Sequence, residues 1–274
     1  MKHTLSHFLL LSIFCFSCSG NSADEEAITG HWLVLYPDHH FRTKSERDVY
    51  GKYQDSIVNL FGLKLITFRA NGEFAELDSI YKAPGKWVKT QQAELQIREG
   101  GKGFNPFQAT IEGFENDTLR LLQLLPLERE KIKVVWHLKK VDNDSLAQQL
   151  LQPEANAWRK KPSATETELQ IRQRLVSLLN FYSIYLQLVS KESSYFLIPR
   201  VHLPFRYFQH AIGLRDQMPQ GFINLFYDEG DAAKAYTILG ETISQLANQF
   251  KWDENFVVEY ALFFKRMTYR IQPK

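Results

Sequence analysis

The chain has almost no cysteine, and its only two, Cys15 and Cys18, lie close together near the N-terminus. A pair at this spacing could hold zinc or act as a redox couple only with further ligands or a folded environment around it. The flanking sequence offers neither, because Lys2 and the largely apolar run 8–16 precede a small, acidic stretch. This layout is typical of a secretory signal. We therefore expect residues 1–17 to be a signal peptide, which is too short to span a bilayer as a helix.

Small residues flank Cys18 on both sides. This arrangement resembles the lipobox of bacterial lipoproteins, in which the cysteine is acylated and becomes the mature N-terminus. The resemblance implies a lipid on Cys18, an exposed linker over residues 18–27 and a membrane as partner. The residue after the cysteine, Ser19, is similar to the one found at this position in lipoproteins that are released to the outer membrane. There the chain would face the periplasm or the cell surface. An ordinary cleaved signal is the alternative.

A strong charge of one sign is also missing. The chain has 33 basic and 31 acidic residues, so its formal net charge is only +2. Nucleic-acid-binding domains usually carry a clear positive excess, and we therefore expect no nucleic acid partner. Aromatic residues, in contrast, make up 14% of the chain. They indicate either a well-filled core or an aromatic-lined cavity, and composition does not choose between the two.

Recognisable catalytic motifs are absent: the chain contains no G-x-S-x-G, H-E-x-x-H, Walker or dinucleotide-binding pattern. Four clusters resemble sites but have simpler explanations. "PDHH" (37–40) is interpreted as exposed loop histidines and "DEGD" (228–231) as a helix N-terminus. "SIYK" (79–82) lies on a predicted strand, where Ser and Lys point to opposite faces, and "GGKGFNP" (100–106) is typical of a hairpin loop. We expect no catalytic residues, no metal and no cofactor, and hence a protein that is not an enzyme.

Short alternating runs broken by Gly, Asn and Pro dominate residues 28–141, which is the pattern of antiparallel strands. The pair Asn71-Gly72 predicts a two-residue hairpin turn. A change to helical spacing over 45–62 predicts a helix after the first strand. The eight predicted strands cover residues 28–36, 63–70, 73–81, 85–90, 94–99, 107–114, 118–125 and 132–140.

Residues 142–274 have a helical composition and predict an all-α domain. The strongest helix, 165–192, has an uncharged stretch shorter than the ~18–20 residues of a membrane span, so we expect a central buried helix. A further helix is predicted from Pro204 to about Gly213, and a short one over 219–226. The expected N-caps are Asp144, Asp231 and Asp253.

Two features of this half could serve a partner. Its aromatic residues indicate either an interaction groove or core packing against the first domain; they are Tyr182, Tyr185, Tyr195, Phe196, Phe205, Tyr207 and Phe208. The basic run "WRKK" (158–161), with Lys139 and Lys140, could face anionic lipid headgroups, and a solvated helix end explains it equally well.

Four stretches of the first half carry a family resemblance. "ITGHW" (28–32), "LITFRANGEF" (65–74), "GKW" (85–87) and "WHLKK" (136–140) are similar to lipocalin-like domains of bacterial lipoproteins. The resemblance covers residues 28–141 and implies an eight-stranded antiparallel β-barrel. For that family it also implies an interior that can take a small hydrophobic ligand.

Strand alternation gives the candidate ligand-lining residues, all of which are inward positions: Trp32, Phe68, Phe74, Trp87 and Trp136. Trp32 is expected to plug the closed end. A barrel whose interior is filled by these same side chains is the alternative, because small barrels often bind nothing.

Together these observations predict an envelope lipoprotein with a lipocalin-like barrel followed by a helical domain. Its predicted role is that of a non-enzymatic binding or interaction module, with a small hydrophobic ligand as one candidate. The alternative is a structural subunit of an envelope complex, with a filled barrel and a helical domain that docks a protein partner. An enzyme of unrecognised type is a third hypothesis, and it would need carboxylates that converge in a cleft.

Overall fold

The computed structural model describes residues 27–58, 65–76, 83–89, 94–100, 107–192, 202–208, 211–247, 250 and 256–272. The predicted signal peptide, Cys18 and almost all of the linker lie outside these residues. Eight strands form a closed antiparallel barrel in which each strand pairs with its neighbours in sequence and β1 also pairs with β8. The strands are β1 Gly30–His39, β2 Leu65–Phe68, β3 Glu73–Glu76, β4 Ala83–Lys89, β5 Glu94–Gly100, β6 Phe107–Glu115, β7 Thr118–Leu127 and β8 Glu130–Lys140.

The barrel prediction is confirmed, and each of the eight predicted runs overlaps one of these strands. Alternating burial shows why the runs form strands. On β7, Leu119, Leu121 and Leu125 are buried, whereas Arg120 and Leu124 are exposed. Successive side chains of a strand point to opposite faces, so this pattern places one apolar row inside the barrel.

The turn between β2 and β3 differs from the prediction by one position. The amide of Gly72 donates to the carbonyl oxygen of Arg69 at 2.9 Å, so Ala70 and Asn71 are the central residues of the turn. Gly72 follows them at a φ of 76°, a conformation that favours glycine. The prediction was wrong because glycine supplies the positive φ after the turn and not within it.

The rest of the described chain is mostly helical. Helix α1, Lys44–Val58, follows β1 as predicted. After the barrel come α2 Ser145–Leu151, a 3₁₀ helix Glu154–Arg159, α3 Glu168–Glu192, β9 Phe205–Phe208, β10 Ala211–Leu214, α4 Gln220–Ile223, α5 Glu229–Ala247 and α6 Phe256–Ile271.

The prediction of an all-α second half is wrong for β9 and β10. These two strands form an antiparallel hairpin in which Tyr207 pairs with Ile212, where the sequence predicted a helix from Pro204 to Gly213. Pro204 suits the first position of a helix, but it equally suits the residue before a strand. Phe205 is buried and Arg206 and Tyr207 are partly exposed, so pairing with β10, and not the burial pattern, identifies this stretch as a strand.

Two of the three predicted helix caps can be checked. The Asp144 carboxylate accepts from the amides of Leu146 and Ala147, which confirms it as the N-cap of α2. Asp231 does not cap α5, because the helix begins earlier and Asp228 accepts from the Asp231 amide. The Asp231 carboxylate is instead buried and accepts from the amide of Glu166, so it joins α5 to the segment before α3. Asp253 lies outside the described residues.

Helix α3 is the centre of a large apolar core, as expected. Tyr182 and Tyr185 of α3 and Phe205 of β9 are buried in that core, so core packing accounts for these three members of the predicted aromatic groove. Tyr195, Phe196 and the side chain of Phe208 lie outside the described residues. Among the described helices, none combines the length and the apolar character needed to cross a bilayer.

The helical core extends onto the outside of the barrel. Leu33 of β1 and Leu65 of β2 belong to the same buried cluster as the α3 side chains, and Leu35 packs against that cluster. Trp32 and Val34, which alternate with these leucines, belong to the barrel core. Strand β1 is therefore covered by apolar side chains on both of its faces.

Burial of the His202 side chain should make the stability of the folded protein depend on pH. Burial, with the Arg159 guanidinium nearby, lowers the pKa of His202 from 6.5 to about 4, although a hydrogen bond with the Gly221 carbonyl opposes this shift. Between these pH values the unfolded chain binds a proton that the folded chain does not, so stability falls as the pH falls through this window. We expect His202 to cost about 2 kcal/mol between pH 7 and pH 5.

Urea unfolding of the wild type and His202→Gln at both pH values measures this term, because the variant should lose less stability on acidification. His40→Gln, at an exposed histidine, is the matched control and should behave as the wild type. Equal pH dependence in all three proteins would contradict the assignment.

Candidate functional site: the barrel interior

All five candidate ligand-lining residues lie in one buried cluster inside the barrel. They come from five strands, β1, β2, β3, β4 and β8, so only closure of the sheet brings them together. Trp32, Phe68 and Trp136 have 0% exposed surface, whereas Phe74 and Trp87 keep 3% and 6%. The sequence therefore found the correct inward face of each of these strands.

Trp32 closes the end of the barrel where the chain enters, which we call the entry end. Its indole N–H donates to the carbonyl oxygen of Ile28 at 2.7 Å, and the Lys140 ammonium lies 5.6 Å from its ring centroid. The edge of Phe114 meets the Trp32 ring with 5.9 Å between centroids. Cation–π and edge-to-face contacts of this kind hold a ring in one orientation.

A steric constraint explains why the third residue of the "ITGHW" stretch is a glycine. Gly30 has a φ of 135°, and a Cβ atom at this position would collide with the side chain of Asp142. The Asp142 carboxylate accepts from the amide of His31 at 2.7 Å, so it must lie close to the strand here. This contact ties the end of β8 to the start of β1, beside Trp32.

Trp87 of the "GKW" stretch is hydrogen-bonded to the turn between β2 and β3. Its indole N–H donates to the carbonyl oxygen of Arg69 at 2.9 Å. Its backbone amide donates to the carbonyl oxygen of Gly72 at 2.8 Å. Phe68 contacts both Trp87 and Phe74, with ring centroids 5.6 and 5.4 Å apart. These three rings form a continuous layer on the β2–β4 side of the barrel.

Gln123 is an inward polar residue that was not predicted from the sequence. Its Oε1 atom accepts from the indole N–H of Trp136 at 3.0 Å, and both side chains are buried. A buried indole N–H costs free energy unless it has an acceptor, so Gln123 compensates for burying Trp136. The signal in the sequence was a glutamine at an inward position of an otherwise leucine-rich strand.

Helix α1 covers part of the opposite end of the barrel, which we call the α1 end. Tyr50 of α1 is buried in the barrel core and stacks on His39 with 4.5 Å between ring centroids. At the β7–β8 turn, Glu128 accepts from both Lys52 and Tyr53 of α1. The hydrogen bond with Lys52 lowers the pKa of the Glu128 carboxyl, which is exposed to solvent.

The described interior is packed rather than open at the entry end. A side chain that lines a space large enough for water keeps some surface that water can touch. Trp32 and Phe68 keep none, and the small remaining exposure is divided along the barrel: Trp87 has 6%, Gln123 and Leu125 have 8% each, and Tyr50 has 5%. The described inward side chains therefore border little space that water can reach at either end of the barrel.

Two of the four clusters that resemble sites in the sequence lie within the described residues. In "PDHH", Asp38 contacts His137 Nε2 at 3.0 Å, and His40 is exposed. In "DEGD", Asp228 caps α5. Residues 79–82 and 101–106 lie outside the described chain. Within the described residues, no three His, Cys, Asp or Glu side chains are grouped closely enough to hold a metal ion.

Comparison with known proteins adds no family to these observations. No protein-family model, curated protein or solved structure gives a significant match to this chain.

Replacing Phe68 tests whether the barrel is filled. Removal of a fully packed phenylalanine costs about 3–5 kcal/mol, because a void remains where the ring was. We expect Phe68→Ala to lower the free energy of unfolding in urea by this amount. Val88→Ala, on the exposed face of β4, is the control and should change stability by about 0.5 kcal/mol or less. A cost below about 2 kcal/mol for Phe68→Ala would indicate that its ring borders an open space.

Proposed function

We propose that this chain is a non-enzymatic envelope lipoprotein, tethered to the outer membrane through a lipid on Cys18. In this proposal the barrel is a filled, rigid module, and the helical part is the module that docks a partner. The two parts would act as the two domains predicted from the sequence, 28–141 and 142–274. The protein would therefore serve as a structural or interaction subunit at the membrane.

The observation that carries this proposal is the packing of the barrel interior. Trp32, Trp87 and Trp136 each donate their indole N–H to a protein acceptor, so none of these N–H groups is left for a ligand. Ligand sites usually combine an apolar lining with a few polar groups that can turn towards the ligand. A fully bonded and closely packed interior favours a structural role.

The covering of β1 supports the same view of the whole molecule. Because Leu33 packs into the helical core, the barrel offers its outer surface at β1 to the helices and not to a partner. Surfaces farther from β1 are the ones left for interaction. This arrangement favours a single tethered unit over a barrel that moves independently.

Binding of a small hydrophobic ligand is the second candidate function. The remaining exposure of Leu125 and Tyr50 favours it, because both side chains belong to the barrel core near the α1 end, where a ligand could enter beneath the helix. Gln123 would then be a buried polar group on the inner wall of the barrel. A small stability cost for Phe68→Ala would support this candidate over the filled barrel.

The lipid anchor is tested by metabolic labelling with a fatty acid analogue in a bacterial host. We expect the wild type to incorporate the label and fractionate with membranes, because the cysteine sulfur is the acylation site. Cys18→Ala should lose the label, whereas Cys15→Ala should keep it, since residue 15 belongs to the cleaved signal. Persistent labelling of Cys18→Ala would refute the anchor.

A further inference from the structure

The outward face of α6 carries basic and large apolar side chains and no acidic one. Five of its residues are exposed and recur at the three- and four-residue spacing that places them on one side of a helix; they are Leu262, Lys265, Arg266, Tyr269 and Arg270. We call this set the α6 outer face. The opposite side of the helix, with Phe263, Phe264 and Met267, is buried in the helical core.

The three cations of the α6 outer face have no acidic partner within the described part of the chain. Among the described residues, no ion pair involves Lys265, Arg266 or Arg270, and the Arg266 guanidinium lies over the ring of Phe250. Glu259 is the last acidic residue of α6, one turn before the face begins. The face is therefore a local positive surface on a chain that is nearly neutral overall.

Basic side chains elsewhere in the described structure often lie beside an acid. Lys52 contacts Glu128, and Arg174 contacts Glu166. Helix α1 also carries exposed basic residues, but Glu46 and Asp48 alternate with them along the helix. Helix α6 is an exception because its last stretch, "KRMTYRIQ", contains no acidic residue that could pair with these cations.

Two large apolar side chains accompany the cations. Leu262 is 44% exposed, and Tyr269, at 65%, is more exposed than the other large hydrophobic side chains of the described chain. Exposing them to water gains nothing for folding, whereas a membrane interface accommodates an aromatic ring with a polar tip and a nearby aliphatic chain. Cations around such residues are the combination that binds anionic membrane surfaces.

We infer that the α6 outer face binds anionic lipid headgroups and so lays the helical part against the membrane. The inference rests on the proposed lipid anchor for its choice of partner, because a tether on Cys18 would keep this face near a bilayer at high effective concentration. The cations and the exposed Leu262 and Tyr269 are part of the folded chain, so the surface itself does not depend on the anchor. The surface is thus a second, electrostatic contact with the same membrane.

The basic run that stands out in the sequence is a weaker candidate. Within "WRKK", Trp158 is buried and the Arg159 guanidinium lies over the rings of Trp158 and Phe181, so only the two lysines are exposed. Lys140 is directed to Trp32 and Asp142. Folding therefore removes half of that run from the surface and leaves α6 as the better membrane contact.

Vesicle cosedimentation tests the inference without the lipid tether. The chain beginning at Ser19, which keeps every described residue, is mixed with vesicles of phosphatidylcholine alone or with 30% phosphatidylglycerol. We expect binding only to the anionic vesicles, with affinity that falls as salt rises. Because each surface cation contributes about 1 kcal/mol, or about fivefold, the variant Lys265→Gln/Arg266→Gln/Arg270→Gln should bind on the order of 100-fold more weakly.

The control variant removes three exposed cations from the barrel side, Lys44→Gln/Arg47→Gln/Lys131→Gln, and so has the same net charge. It should keep most of the binding, and circular dichroism should show both variants folded. Equal weakening by the two variants, or no preference for anionic vesicles, would overturn the inference. Binding to soluble polyglutamate in place of vesicles would overturn it in favour of an acidic protein partner. Acyl labelling at Cys18 reports on the anchor separately, so the two proposals can fail independently.

Discussion

Burial of β1 on both faces is the constraint on which the rest of the structure depends. Its inward residues, Trp32 and Val34, belong to the barrel core, and its outward residues, Leu33 and Leu35, contact the helical core. The strand also closes the barrel by pairing with β8. A single extended segment therefore joins two hydrophobic cores, and a shift of its register by one residue would place the wrong side chains in both.

The aromatic residues of the barrel follow from that closure. Each of three buried indole N–H groups meets an acceptor from a different part of the chain: the Ile28 carbonyl, the Arg69 carbonyl and the Gln123 side chain. Large rings stabilise the interior by burying apolar area, but only while their polar atoms remain bonded. These bonds explain how a barrel without a disulfide among the described residues can keep a specific packing, and why we favour a filled interior over an open cavity.

The sequence predicted most of the barrel because alternation is a local signal. Every barrel strand and the inward orientation of the five candidate residues were accessible from a two-residue period. Two details of the structure could not be predicted from this local pattern. The pairing of Gln123 with Trp136 depends on the register of β7 against β8, which a single sequence does not reveal. The β9–β10 hairpin was missed because Pro204 and a short apolar run are compatible with either a helix or a strand.

The chemistry of the surface was the least predictable part. Along the sequence, "WRKK" is the densest basic run, but burial of Trp158 and stacking of Arg159 reduce its exposed charge. The cations of α6 are spread over six positions, and the helical repeat brings them onto one surface where no described acidic residue pairs with them. Neighbours in space, rather than neighbours in sequence, decide which charges remain available to a partner.

Hydrogen exchange at the indole N–H groups tests the filled barrel most directly. It can be followed by nuclear magnetic resonance on the folded protein, with the backbone amides of β7 and β8 as internal references. The filled barrel predicts that the indoles of Trp32 and Trp136 exchange only through global unfolding, with the same free energy as the most protected amides. Exchange of either indole much faster than those amides, while the barrel stays folded, would show that water reaches the interior and would contradict the account.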